Sequence, residues 1–118
     1  MGAVKRVVYN NALMDVADYT NTKCLKMLLS NFDGLEQLFL KGDTVAGAIL
    51  IDLKTKLGFY DIRECVLTDL QRESIILNLI YGLPQNDVAK VLNVQQRMIS
   101  YYVNQGLAIL SDSLEGKL

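Results

Sequence analysis

The chain has 118 residues, 51% of them hydrophobic and 21% charged, with one proline and a formal net charge of −1. Such a composition fills a core and excludes a disordered tail, and the length suits one small domain or such a domain with an arm. The charge excludes a strongly basic nucleic-acid coat, although a local basic patch remains open.

Chemistry is excluded almost as quickly. There is no histidine, and the two cysteines, Cys24 and Cys65, stand far apart in no CxxC frame. Serine–histidine and cysteine–histidine nucleophile pairs are therefore impossible, and a zinc site would need an unusual carboxylate set. Two reduced, partly buried thiols are the simpler reading. No glycine-rich phosphate-binding loop occurs. Asp15/Asp18, Asp61/Glu64 and Asp69/Glu73 all sit at ordinary helix-surface spacings. The expectation is a non-enzyme with no cofactor and no metal. No apolar run approaches the roughly 18 residues that span a bilayer, and the N-terminus lacks a secretory pattern. The expected location is cytoplasmic, with no membrane partner.

Residues 1–9, MGAVKRVVY, are short, apolar and basic, and fit an arm, a helix start or a short strand. Leu13, Met14, Val16 and Ala17 give a weak helical signal over 10–19. Asn21 or Thr22 is placed to cap a helix from 23 to about 30, with Leu25, Leu28 and Leu29 inward. Residues 31–34 read as a break, followed by a short apolar helix over 35–40. Lys41-Gly42-Asp43 is clear punctuation. Asp43 caps a helix to about 57 whose inner face is Val45, Ala46, Ile49, Leu50, Leu53 and Leu57, with Asp52, Lys54 and Lys56 opposite. Gly58 ends it, and a connector with a possible short helix covers 59–67.

Thr68-Asp-Leu-Gln71 is a capping-box pattern that opens a helix to about Tyr81. Its apolar residues cover more than half the circumference, which predicts the buried hub of the domain. Gly82 suits a helix C-terminus. Then comes GLPQNDVAKVLNVQQRMISYYVNQGLAIL, residues 82–110. Val88, Ala89 and Leu92 form one apolar face, and Ile99, Tyr102, Val103, Gly106, Leu107 and Leu110 form a second. Between them Asn93 suits the left-handed conformation that ends a helix, and Val94 plugs the corner. This is a helix-turn-helix pattern with helices at about 85–92 and 95–110, a unit whose second helix often enters the major groove of DNA. The polar tail 111–118 reads as frayed.

The predicted fold is thus all-α: an N-terminal arm and helical extension over 1–42, then a small multi-helix domain over 43–118 that contains the helix-turn-helix at about 84–110. The leucines and phenylalanines of 25–39 either enlarge the core or form an oligomer or partner surface.

With these residues in view, the segment 67–110 resembles region 4 of bacterial sigma factors, nearest to the small sigma-like helix-turn-helix proteins of phages and prophages. The resemblance lies in Leu-Thr-x-x-Gln-Arg at 67–72, Tyr-Gly-Leu at 81–83, Gln-x-Asp-Val-Ala at 85–89 and Val-x-Gln…Ile-Ser-Tyr at 94–101, and more weakly in AILIDLK at 48–54. It implies a DNA-binding transcription regulator that contacts promoter DNA, RNA polymerase or both. By position, Gln95, Gln96, Arg97, Ser100, Tyr101 and Asn104 would face the groove. Helical geometry agrees for Arg97, Ser100, Tyr101 and Asn104, which lie opposite Ile99, Val103 and Leu110. Lys90 and Arg72 are candidate phosphate contacts.

This chain departs from the family in two ways. Tyr101, Asn104 and Gln105 stand where basic residues are common, and Pro84 stands where a capping Ser or Thr is usual. Asp87, Lys90 and Arg97 are the charged residues between Pro84 and Leu110, so one copy should bind double-stranded DNA weakly. A homodimer, or help from polymerase, is therefore expected. The alternative readings are a protein-interaction module that binds RNA polymerase, a sigma factor or another regulator, and a phage DNA-packaging subunit of the small-terminase kind.

Overall fold

The computed structural model describes residues 3–4, 17–18 and 21–116. Six helices carry the fold: α1 (Thr22–Ser30), α2 (Phe32–Leu40), α3 (Thr44–Lys56), α4 (Asp69–Ile75), α5 (Gln85–Leu92) and α6 (Gln96–Leu114). Among the described residues the protein is all-α apart from one two-residue antiparallel pair, β1 (Ala3–Val4) with β2 (Ala17–Asp18). The helical reading of 10–19 fails at Ala17 and Asp18, which are extended and paired; its other residues all lie outside the described ones.

Helix starts follow local cap chemistry. Asn21 Oδ1 accepts from the Lys23 and Cys24 amides, and Asp43 Oδ1 from those of Val45 and Ala46, at 2.8 to 3.4 Å. Both halves of the capping box at α4 are made: the Gln71 amide donates to Thr68 Oγ1 at 3.3 Å, and the Thr68 amide to Gln71 Oε1 at 3.1 Å. Asp61 caps a 3₁₀ turn (Ile62–Glu64), and its hydrogen bonds from Arg63 hold its carboxyl below the usual carboxylate range.

Four sequence expectations need correction. The break expected over 31–34 is confined to Asn31; Phe32 already belongs to α2. Gly34 lies inside α2, where a Cβ would sit 2.4 Å from Asn31 Nδ2, so glycine makes room for the asparagine side chain instead of breaking the helix. The helix from Asp69 does not run to Tyr81 as regular α-helix. It widens into a π-helical segment, Ile76–Ile80, closed by the Tyr81 amide on the Ile76 carbonyl at 2.9 Å. Residues 111–114 are not frayed: α6 continues to Leu114, because Leu114 extends the stripe of Leu107 and Leu110 and is buried with Ser111 and Ser113.

The hub is also displaced. Leu70 and Tyr81 are exposed, and α4 is sealed on one side only. Instead α6 is the element that packs against α1, α3, α4 and α5. It is the longest helix and carries an unbroken stripe of Ile99, Val103, Gly106, Leu107, Leu110 and Leu114. The N-terminal leucines enlarge this core: Leu25, Leu28, Leu29, Phe32 and Leu35 join Ile49, Leu53, Ile75, Val88 and Leu110 in one apolar cluster. No helix among the described residues is long and apolar enough to cross a membrane. Cys24 is buried, Cys65 is half-buried, and they form no disulfide.

Candidate functional site

α5 and α6 meet through a three-residue turn, Asn93 to Gln95. Asn93 adopts φ 57°, ψ 49°, the one left-handed non-glycine residue described. Asparagine tolerates that conformation at modest cost. It lets the Val94 amide reach back to the Ala89 carbonyl at 3.0 Å, which satisfies a terminal carbonyl of α5. Val94 packs against the core, and Ala89 is buried in the cluster that α5 and α6 share. The short loop and small residue hold α6 in a fixed orientation beside α5.

α6 has two faces. Inward are Ile99, Val103, Gly106, Leu107 and Leu110; outward are Gln96, Arg97, Tyr101 and Asn104, with half-buried Ser100 at the edge. At 100° per residue, Arg97, Ser100, Tyr101 and Asn104 fall within about one third of the circumference. Gln95 precedes them, exposed, with no capping hydrogen bond from its side chain. Lys90 is exposed near the end of α5. These residues offer three amides and a guanidinium of the kind that pair with base edges, plus hydroxyls and an ammonium.

Arg72 does not join them. Its Nε donates to the Leu57 carbonyl at 2.6 Å, its Nη1 to Glu73 Oε2 at 2.7 Å, and its guanidinium lies 5.9 Å from the centre of the Phe59 ring. Phe59 in turn meets Phe32 at 6.1 Å, and Lys54 lies over Phe32 while approaching Glu36 at 3.7 Å. Arg72 is therefore a tie between α4 and the connector after α3. Two shallow hollows flank this stack. One, of about 420 Å³, is lined by Phe32, Glu36, Lys54, Phe59, Ile80 and Tyr81; the other, of about 320 Å³, is lined by Arg72, Ile76, Leu77 and again Phe59 and Tyr81. Tyr81 is 70% exposed at their shared rim.

A hydrogen-bond chain that sequence reasoning missed runs from buried Gln71 out to the exposed side chains of Gln105 and Tyr101 on α6. Gln71, 5% exposed, donates through Nε2 to Gln105 Oε1 at 3.0 Å, and Gln105 Nε2 donates to the Tyr101 hydroxyl at 2.9 Å. The Tyr101 and Tyr102 rings lie 5.8 Å apart, tilted. The i, i+4 spacing of Tyr101 and Gln105 was a visible signal, but the 34-residue separation of Gln71 and Gln105 was not. Gly106 makes the approach possible: a Cβ there would stand 2.6 Å from Ile75 Cδ1.

Scans against protein-family models, curated proteins and solved structures find no match to this chain. The site stands on its own chemistry.

Proposed function

We propose that the chain belongs to the helix-turn-helix class of DNA-contacting proteins, with α6 as the helix that enters the major groove. More particularly, it is a transcription regulator of the sigma region 4 type, which touches promoter DNA with help from a second copy or from RNA polymerase. The observation that carries this reading is the α5–α6 pair, closed by a left-handed Asn93 and presenting Arg97, Ser100, Tyr101 and Asn104 on one outward face.

The energetics set the affinity low. Lys90 and Arg97 supply at most two phosphate contacts per copy, so log K should fall against log salt with a slope of only about −2. A base contact from Arg97 or Gln96 adds about 1–3 kcal/mol of discrimination. A dimer doubles both effects, which is why a second copy is part of the proposal.

Anisotropy titrations with promoter duplexes at about 50 mM salt, with and without RNA polymerase, test it. Binding that weakens about tenfold or more in Arg97→Ala and Gln96→Ala, with unchanged unfolding curves, is the expected result. No binding in either format overturns the reading. A second reading, a protein-interaction module, is favoured by the aromatic hollow around Phe59 and Tyr81. A stoichiometric protein partner captured from nuclease-treated host lysate and lost in Tyr81→Ala would support it.

A further inference from the structure

We propose that Gln71 and Gln105 are positioning residues that leave Tyr101 one hydrogen-bond role toward DNA, that of a donor to a phosphate oxygen or to the acceptor edge of a base. This rests on the reading of α6 as the DNA-contacting helix and goes beyond it by assigning the polarity of one contact.

The polarity follows from a group with no choice. The Thr68 backbone amide can only donate, and it points at Gln71 Oε1. That bond fixes which end of the Gln71 amide is oxygen, so Nε2 must face Gln105 and donate to its Oε1. The Gln105 amide is oriented in turn, and its Nε2 meets Tyr101 Oη. An amide nitrogen cannot accept, so the tyrosine oxygen is the acceptor and its own proton is left pointing outward. A free phenol swings between donor and acceptor; this one is committed. Each bond in such a chain polarises the next, which strengthens the outward donor.

The placement suits a ligand rich in acceptors. Tyr101 is 52% exposed, one helical turn from Arg97. In the major groove the donor would meet guanine O6 or N7, adenine N7 or thymine O4, and would be rejected by the amino groups of adenine and cytosine. On the backbone it would meet any phosphate.

The full-length chain and two duplexes test this: one selected by the protein from a randomised pool, and one unrelated duplex of equal length. Side-chain amide exchange by NMR reads the chain directly. The Nε2 protons of Gln71 and Gln105 should exchange more slowly than those of Gln95 and Gln96; equal rates overturn the proposal without reference to DNA. Tyr101→Phe should then weaken DNA binding by about fivefold, the worth of one hydrogen bond, at unchanged thermal stability. Loss confined to the selected duplex identifies a base acceptor, and equal loss on both identifies phosphate.

Gln105→Glu supplies the decisive control. Its carboxylate still accepts from Gln71, but it can only accept at its other oxygen, so the Tyr101 hydroxyl donates to it and the last bond is reversed. Added to Gln105→Glu, Tyr101→Phe should cost less than twofold further, whereas undiminished additive losses overturn the proposal. If the unmodified protein binds DNA and Tyr101→Phe binds equally well, this inference fails and the DNA-contacting reading stands. If the unmodified protein binds no duplex, alone or with RNA polymerase, both fall.

Discussion

The half of the core built by α1–α3 is sealed by large apolar side chains: Leu25, Leu28, Leu29, Leu35, Ile49 and Leu53 are all fully buried. In the half built by α4–α6, small and polar residues join the buried Ile75, Val88, Ile99, Val103, Leu107 and Leu110. Gln71, Ser74, Ser111 and Ser113, the buried polar residues described, all belong to α4 and α6, and Gly106 lies at their crossing. The contrast separates two tasks. Burial of leucine is non-directional and supplies stability at about 25 cal/mol per Å² of apolar surface. Buried amides and close backbone contact are directional, and they hold the outer face of α6 in one geometry at some cost in stability.

Truncation of the leucine layer should break the molecule most. Leu28 has no exposed surface on α1, which packs on both α6 and the π-helical segment. Leu28→Ala should lose about 3 kcal/mol, a large share of a small domain's stability. Urea unfolding followed through the ring resonances of Tyr101 and Tyr102, which report on α6, should show the same shift as far-ultraviolet circular dichroism. Two separated transitions would show that the halves do not share one core.

Two glycines sharpen the contrast at a smaller scale. Ideal Cβ atoms at Gly47 and Gly106 collide about equally, at 2.5 Å from Phe39 Cδ1 and 2.6 Å from Ile75 Cδ1. What differs is the neighbour. Phe39 is half exposed and can swing toward solvent, while Ile75 is fully enclosed. Alanine returns about 1 kcal/mol of helix propensity at either site, against about 1–3 kcal/mol for overpacking a closed core. Gly47→Ala should therefore be near neutral in thermal unfolding, and Gly106→Ala should lose about 1 kcal/mol. Equal effects would mean that Ile75 has room the packing does not suggest.

How far all this could be read without coordinates depends on the range of the forces involved. The starts of α1, α3 and α4, the all-α class and the left-handed turn at Asn93 were legible, because each rests on bonds within three to five residues. The start of α2 was misread because Gly34 looks like a breaker until the Asn31 side chain is placed against it. Arg72 was offered as a phosphate contact because nothing local shows that its partner is the Leu57 carbonyl, 15 residues away. The polar residues 111 and 113 looked like a frayed end for the same reason: their burial depends on the packing of α6 against distant helices.

The smallest test concerns whether every buried polar group in the second half serves the face of α6. Gln71 does, through Gln105. Ser74, one turn further along α4, is fully enclosed, and its Oγ has no hydrogen-bond partner among the described residues. An unsatisfied buried hydroxyl costs about 1–3 kcal/mol, and alanine is also the better helix former. Ser74→Ala should raise stability by about 1 kcal/mol in urea titration and leave binding by α6 unchanged. A loss of stability would mean that the hydroxyl bonds within the core, most simply to the Leu70 carbonyl four residues back. Ser74 would then belong with Gln71 to the directional half of the fold, and α4 would carry two polar anchors beneath α6 instead of one.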